Sequence, residues 1–162
     1  MRCLSLWQPY ATLIASGAKR FETRSWKTNY RGPVVIHAAK RWTQAEKQIA
    51  NSYPFNKALA QARHQGLALP FGEIICIVDL VAVHRTEDIR GQLSLVQGNW
   101  ERFFGDFSNG RYAWELRNVR TFYPVPMRGQ QGLFPFLCPL CENTGEVAAY
   151  AQYSRVDVRQ PC

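Results

Sequence analysis

The stretch Gly17-Ala18-Lys19-Arg20-Phe21-Glu22-Thr23-Arg24, which follows closely behind Leu6-Trp7-Gln8-Pro9, sets the pattern of this fold. The proline suits the first position of a helix, and the first glycine of the longer stretch suits that helix's left-handed end. The residues from Arg20 to Trp26 then predict a strand. Because side chains alternate along a strand, Glu22 and Arg24 share one face of it. The sequence therefore places a lysine, a glutamate and an arginine where a short helix gives way to a strand.

Outside this junction, short apolar runs that are β-branched or alternating, and that lie between turn residues, predict further strands. These strands cover residues 2–6, 34–39, 74–83 and 112–116, with a proline-broken run at 122–126 that suits the edge of a sheet. The segment 128–134, which is bracketed by glycines, predicts a loop.

Helices are predicted between some of these strands. The sequence Thr43-Gln44-Ala45-Glu46 matches a capping box and opens a helix towards Ser52. Two more helices are predicted, from Phe55 to about Gln65 and from Glu142 to Tyr153. The strands do not alternate regularly with long helices, which argues against a doubly wound parallel sheet. We therefore predict an α+β fold, a small, mixed, mostly antiparallel β-barrel with flanking helices.

Length and charge limit the organisation and the partners of the chain. At 162 residues and 46% hydrophobic, with no Gly/Ser-rich or Pro-rich linker, the chain predicts one domain over residues 1–162, with a polar tail from about 154. The formal net charge of +8 and the sequence pI near 9.5 favour polyanionic partners, chiefly nucleic acid. The alternative is a basic surface that binds nothing.

Cysteine usage and hydropathy bear on cofactors and location. The spacing of Cys138 and Cys141 is that of a zinc knuckle, but a structural zinc site needs four ligands and no matching second pair follows. We therefore expect no metal and no other cofactor. The odd count of five cysteines and the absence of a secretion signal suit the reduced cytoplasm. No stretch approaches the roughly 20 apolar residues that span a bilayer, so we expect no membrane association.

The motifs of the first forty residues resemble the ASCH domain family, named for activating signal cointegrator homology. They are Leu4-Ser5-Leu6-Trp7-Gln8-Pro9, the pattern Gly17-x-Lys19-x-x-Glu22-x-Arg24, Ser25-Trp26 and Tyr30-Arg31-Gly32, in the expected order. The resemblance implies a fold similar to the PUA domain of RNA-modifying proteins, a β-barrel with flanking helices and a cleft beside the first helix. It also implies a link to RNA metabolism or transcription coactivation.

The three charged residues of the junction are the candidate catalytic or binding residues. Lys19 is a mobile point charge that can contact a phosphate or, if desolvated, serve as a general base; otherwise it is a solvated lysine past a helix end. Glu22 can orient a neighbouring cation, and the planar fork of Arg24 suits a phosphate or a carboxylate. Alternatively, the three form only a structural ion network.

Aromatic and basic residues around the junction complete the predicted interface. Tryptophan faces can stack on bases, although a tryptophan near a strand end more often belongs to the core. The cationic residues extend positive charge for phosphate contacts. The predicted nucleic-acid-binding residues are Trp7, Gln8, Lys19, Arg24, Trp26, Lys27, Arg31, Lys40 and Arg128. His37, inside an apolar run, is more typical of a satisfied core histidine than of a site residue.

Three functions remain open on this sequence, and we favour the first. It is a module that binds RNA or single-stranded DNA, or a nucleotide-like ligand, in a basic cleft built around Lys19, Glu22 and Arg24. The second is a small hydrolase, either a ribonuclease or, as some compact ASCH proteins are, an N4-acetylcytidine amidohydrolase. Lys19 matches the lysine of those enzymes, but Glu22 stands at their threonine position and Glu87 and Asp88 do not match the context of their glutamate. The third is a protein-interaction domain that binds a peptide carboxylate.

Overall fold

The computed structural model describes residues 1–94 and 100–138. Within these ranges, six strands form one sheet, and four α-helices and two short 3₁₀ turns lie between them. The strands are β1 (Arg2–Leu6), β2 (Phe21–Arg24), β3 (Gly32–Ala38), β4 (Glu73–Arg85), β5 (Tyr112–Pro126) and β6 (Leu133–Pro135). The helices are α1 (Tyr10–Ala15), α2 (Gln44–Asn51), α3 (Phe55–His64) and α4 (Thr86–Ile89).

The sheet is mixed and mostly antiparallel. Its strand order is β2-β5-β4-β3-β1-β6. Only β1 and β3 run parallel, and the other four pairings within the described residues are antiparallel. Register shifts at three places along β4 and β5, and at one between β3 and β4, bend the strands, since an extra residue increases local twist. The sheet curls into a half-barrel, which confirms the predicted fold class.

Apolar side chains are buried on both faces of this sheet. The short helix α1 covers the inner face, where Ile14 packs with strand residues such as Leu4, Ile36 and Trp114. The helices α2 and α3 build a second cluster behind α1 with Leu13. On the outer face, the segment around 127–136 covers a third cluster. The inner face and the end of α1 therefore meet at the junction that the sequence singled out.

Several local predictions are confirmed. Gly17 ends the α1 region with φ +77°, a backbone conformation that favours glycine. Thr43 and Glu46 form the capping box of α2. The helix predicted from Phe55 to about Gln65 is α3.

Two element boundaries differ from the prediction. The run 122–126 is not a separate strand but the second half of β5, which continues unbroken from Tyr112. Its prolines are tolerated because β2 pairs only with residues 112–115 of β5, so the later half has no neighbour on that side within the described residues. The loop predicted at 128–134 ends earlier than expected, because Leu133 begins β6.

Other predictions concern cysteines, membranes and the end of the chain. The predicted helix from Glu142 to Tyr153, the tail from about 154 and Cys141 lie outside the described residues. Across 1–94 and 100–138, no three His, Cys, Asp or Glu side chains come together as metal ligands would. None of the helices in these ranges combines the length and hydrophobicity needed to cross a bilayer.

Candidate nucleic-acid interface

Lys19 is a buried anchor at the end of α1. The chain turns at Gly17, and the Lys19 amide donates to the Leu13 carbonyl at 2.9 Å, which aims the side chain inward. Only 1% of Lys19 is exposed. Its Nζ donates to the carbonyl oxygens of Phe21 at 2.5 Å and Phe104 at 2.6 Å, and lies 3.4 Å from Glu22 Oε2. Of the three donors of the ammonium group, two are used by these carbonyls, and Glu22 adds an ion pair.

Glu22 and Arg24 share the inner face of β2, as the strand alternation predicts. Glu22 is buried, and its Oε1 lies 3.0 Å from Arg24 Nε. Arg24 is partly exposed, and no hydrogen bond to its two terminal nitrogens occurs within the described residues. Glu22 therefore lies between Lys19 and Arg24 and holds the guanidinium with part of its fork still available.

Tyr10, which the sequence did not single out, joins this charged group from α1. The Lys19 Nζ lies 5.9 Å from the centre of its ring. Burial raises the pKa of the Tyr10 phenol, and the nearby carboxylates of Glu22 and then Glu46 raise it further. Tyr10 therefore remains a neutral hydroxyl near the charged group. In the sequence it is an ordinary aromatic residue at the start of a helix, so no local pattern indicates this position.

Glu101 is a second buried carboxylate at the same junction. Its two oxygens accept the backbone N–H groups of Arg20 and Phe21 at 2.8 to 3.0 Å. Burial raises the pKa of this carboxyl, and the Arg20 amide partly offsets the effect. Glu87, which does not match the context of the relatives' glutamate, lies in the first turn of α4 and accepts from the Thr86 hydroxyl and the Gly110 amide. Because Glu101 lies 80 or more residues from Arg20 and Phe21, no local sequence pattern indicates that it binds their amides.

Trp7 and Arg41 form an exposed stacked pair on the α2 side. The Arg41 guanidinium carbon lies 4.0 Å from the centre of the Trp7 ring, and 49% of Trp7 is exposed. Arg41 Nε also donates to Glu46 Oε1 at 2.7 Å. The Thr43 hydroxyl and, after it, the Arg41 guanidinium lower the pKa of the Glu46 carboxyl to about 2. The capping glutamate of α2 therefore holds the arginine over the tryptophan.

Trp26 provides a second exposed ring, on the β2 side. Its ring meets that of Trp114 edge to face, with centres 4.6 Å apart, and 37% of Trp26 is exposed. Trp114 is fully buried and lies opposite Glu22 in the register of β2 and β5. The exposed tryptophan is thus supported by a core tryptophan next to the charged group.

The remaining predicted residues do not all join this cluster. Lys27 and Lys40 are exposed. Arg31 is exposed too, but its guanidinium donates to the carbonyls of Thr28 and Tyr30 in its own turn.

Gln8 and Arg128 take other positions. Gln8 is fully buried, and its amide bonds with Thr12 and the Pro70 carbonyl, so it closes the start of α1; its contact with nucleic acid stays a prediction. Arg128 lies in the segment on the outer face, and it makes no contact with Lys19 or Glu22 within the described residues.

His37 is the satisfied core histidine that the sequence favours. Its Nε2 lies 3.0 Å from the Met127 carbonyl and its Nδ1 lies 3.0 Å from the Ser5 hydroxyl. Because a carbonyl can only accept, the proton belongs on Nε2, and Nδ1 accepts from the serine. A side chain at Gly129 would collide with His37 and Ser5. His37 therefore fixes the 127–129 segment on the outer face.

A family model for the ASCH domain matches residues 4–126, which is most of the chain. The chain belongs to the ASCH domain family. No curated protein matches it. Among solved structures it is similar to ASCH from Zymomonas mobilis, with 17% identity over 82% of this chain and 84% of the other, at a TM-score of 0.48. A single-substitution variant of that protein matches with 17% identity over 78% and 73%, at a TM-score of 0.45.

In this ASCH domain, the surroundings of Lys19 Nζ suit a hydrogen-bond donor. Every neighbour of the Lys19 Nζ that we describe is a carbonyl or a carboxylate. A general base must accept a proton through a free lone pair, whereas Lys19 Nζ is the donor in both of its hydrogen bonds. Lys19 as a general base stays a prediction, and this geometry favours a positioning role.

Proposed function

We propose that this ASCH domain binds RNA or single-stranded DNA across the exposed rim formed by Trp7, Arg41, Arg24 and Trp26. The observation that carries the proposal is the partly exposed Arg24 guanidinium, which buried Glu22 holds at 3.0 Å two residues before the exposed Trp26. A guanidinium fork suits a phosphate, and an indole face suits a base. Single-stranded ligands are favoured because their bases are free to stack.

Buried groups prepare the rim for binding. Lys19 and Glu22 form an ion network that holds Arg24, while Glu46 holds Arg41 over Trp7. Side chains fixed in this way lose less conformational freedom when a ligand arrives. The lysine and glutamate of the family motif act in this proposal as positioning residues under the binding surface.

The charge of the chain supports the same proposal. Residues 1–72 hold eleven Lys and Arg side chains against two Glu, whereas residues 73–162 hold nine against ten acidic side chains. The two glutamates are Glu22 and Glu46, and both are ion-paired. The net positive charge therefore belongs to the part of the chain that carries the rim, as phosphate attraction requires. We place this activity in the cytoplasm, as the cysteines suggest.

The proposal is tested by fluorescence anisotropy with labelled single-stranded RNA and DNA oligonucleotides. The variant Trp7→Ala should weaken binding by about 1–3 kcal/mol, roughly 5- to 150-fold, because the platform for one stacked base is removed. Arg24→Gln should also weaken it. The matched control is Arg120→Gln, which removes one arginine from an exposed position opposite Ile77 on the outer face. No binding at low salt, or equal weakening in all three variants, would contradict the proposal.

A further inference from the structure

A groove between α2 and α3 lies outside the rim described above. It has a volume of about 220 Å³. Its floor and one wall are apolar, with buried Leu59 below and half-buried Trp42 at the side. Trp42 is fixed there by Phe71, at 5.2 Å between ring centres. The polar side chains of its lining are Lys47, Asn51, Asn56 and Arg63.

Helix geometry brings these residues to one place. Lys47 and Asn51 are four apart on α2, so they lie on the same face of that helix. Asn56, Leu59 and Arg63 recur at three and four residues on α3, so they form one stripe. The two stripes face the groove from opposite sides. Two cations and two amides therefore surround an apolar floor.

The polar groups of the groove are available to a ligand. Within the described residues, none of the side chains of Lys47, Asn51, Asn56 and Arg63 makes a hydrogen bond or an ion pair. By contrast, Arg24 and Arg41 at the rim are both paired with carboxylates. No acidic residue of the described part of the chain lines the groove. Its electrostatics therefore favour an anion, and its tryptophan and leucine favour a flat apolar ring.

We propose that this groove binds one nucleotide unit, with the base against Trp42 and Leu59 and the phosphate between Lys47 and Arg63. The Asn51 and Asn56 amides each offer a donor and an acceptor, which suits the edge of a base. The volume lies below the range of about 300–1,000 Å³ typical of drug-sized ligands, so it suits one unit and not a longer segment. Trp42 directly follows Arg41, so a strand that crosses the rim can continue into the groove. The inference extends the proposed function, but it also predicts binding of a free nucleotide.

The test uses AMP, CMP, adenosine and inorganic phosphate as separate probes, followed by NMR of the backbone amides of the full chain. The two nucleotides should saturate and shift the amides of α2 and α3, while adenosine and phosphate bind at least about tenfold more weakly. The double variant Lys47→Gln with Arg63→Gln should weaken nucleotide binding about tenfold or more. Lys57→Gln is the control, because Lys57 is exposed on α3 outside the groove. It should change affinity less than about twofold.

Each outcome decides the proposal. If the double variant and the control weaken nucleotide binding equally, the effect comes from overall charge. If phosphate binds as tightly as AMP, the groove is an anion site only. Either result overturns the nucleotide site. Labelled oligonucleotides separate this inference from the proposed function. If they bind while the nucleotides do not shift α2 and α3, the groove fails and the rim stands. If the nucleotides saturate the groove but no oligonucleotide binds, the groove stands and the rim fails.

Discussion

At the scale of single residues, the junction depends on one buried ammonium. Lys19 connects the end of α1, the start of β2 and the Phe104 carbonyl 85 residues away. Placing a charge in the interior is costly unless its partners replace water. The two carbonyls and Glu22 do so here. A motif lysine that would be assigned to a ligand from sequence thus also holds the fold.

This anchor predicts a large loss of stability in Lys19→Met. The methionine keeps most of the aliphatic volume, but it leaves the Phe21 and Phe104 carbonyls without the ammonium donor. Glu22 then has Arg24 as its remaining partner. The free energy of unfolding should fall by about 3 kcal/mol, as when one partner of a buried pair is removed. Urea denaturation measures it, and Lys27→Met, at an exposed lysine, should stay within about 0.5 kcal/mol. Equal stability of the two variants would show that Lys19 is not an anchor.

At the scale of elements, the outer face depends on a histidine that is buried as a neutral ring. His37 of β3 contacts β1 through the Ser5 hydroxyl, and it contacts the loop after β5 through the Met127 carbonyl. Burial lowers its pKa from the ordinary value of 6.5, against the opposing effect of the Met127 carbonyl. The unfolded chain therefore takes up the proton more readily than the folded one.

This histidine predicts a pH dependence with a definite sign. Because the unfolded state binds more protons, the free energy of unfolding should fall as the pH drops below about 6.5, the reference value for histidine. His37→Gln should reduce this slope between pH 7.5 and 5.5, whereas His64→Gln, at an exposed histidine of α3, should leave it unchanged. Urea midpoints across this range measure the effect. A wild-type slope that persists in His37→Gln would be evidence against a buried neutral ring.

At the scale of the whole molecule, charge is divided unevenly between the two parts of the chain. The net positive charge belongs to residues 1–72, which include β1, α1, β2, β3, α2 and α3. The later strands β4 and β5 instead carry ion pairs such as Asp79 with Arg120 and Glu115 with Arg117. A polyanion should therefore approach the part of the molecule with the rim and the groove.

This distribution predicts a strong effect of salt on binding. Each phosphate that a lysine or arginine neutralises should steepen the slope of log affinity against log salt by about 0.7 for single strands. Three or more such phosphates along the rim should give a slope of about −2 or steeper. Anisotropy titrations at several salt concentrations measure it. A slope near zero would mean that phosphates do not drive binding, and would favour the alternative of a peptide carboxylate.

Local patterns predicted much of the fold because their causes are local. Gly17 turns the chain through its own backbone freedom, and Thr43 and Glu46 cap α2 across only three residues. Strand alternation likewise placed Glu22 and Arg24 on one face. The continuous β5 was not predicted, since prolines are tolerated there only because β2 is too short to pair with them.

The sequence by itself determined the family, the helix-to-strand junction and the excess of positive charge in its first part. Only the tertiary structure decided what those residues do. It buried Lys19 against Phe104, joined Glu101 to the backbone amide of Arg20 and brought the Tyr10 ring near Lys19. The reason is physical: caps, turns and alternation act between neighbours in the chain. The partners of a buried charge are chosen instead by which distant segments the curled sheet brings together.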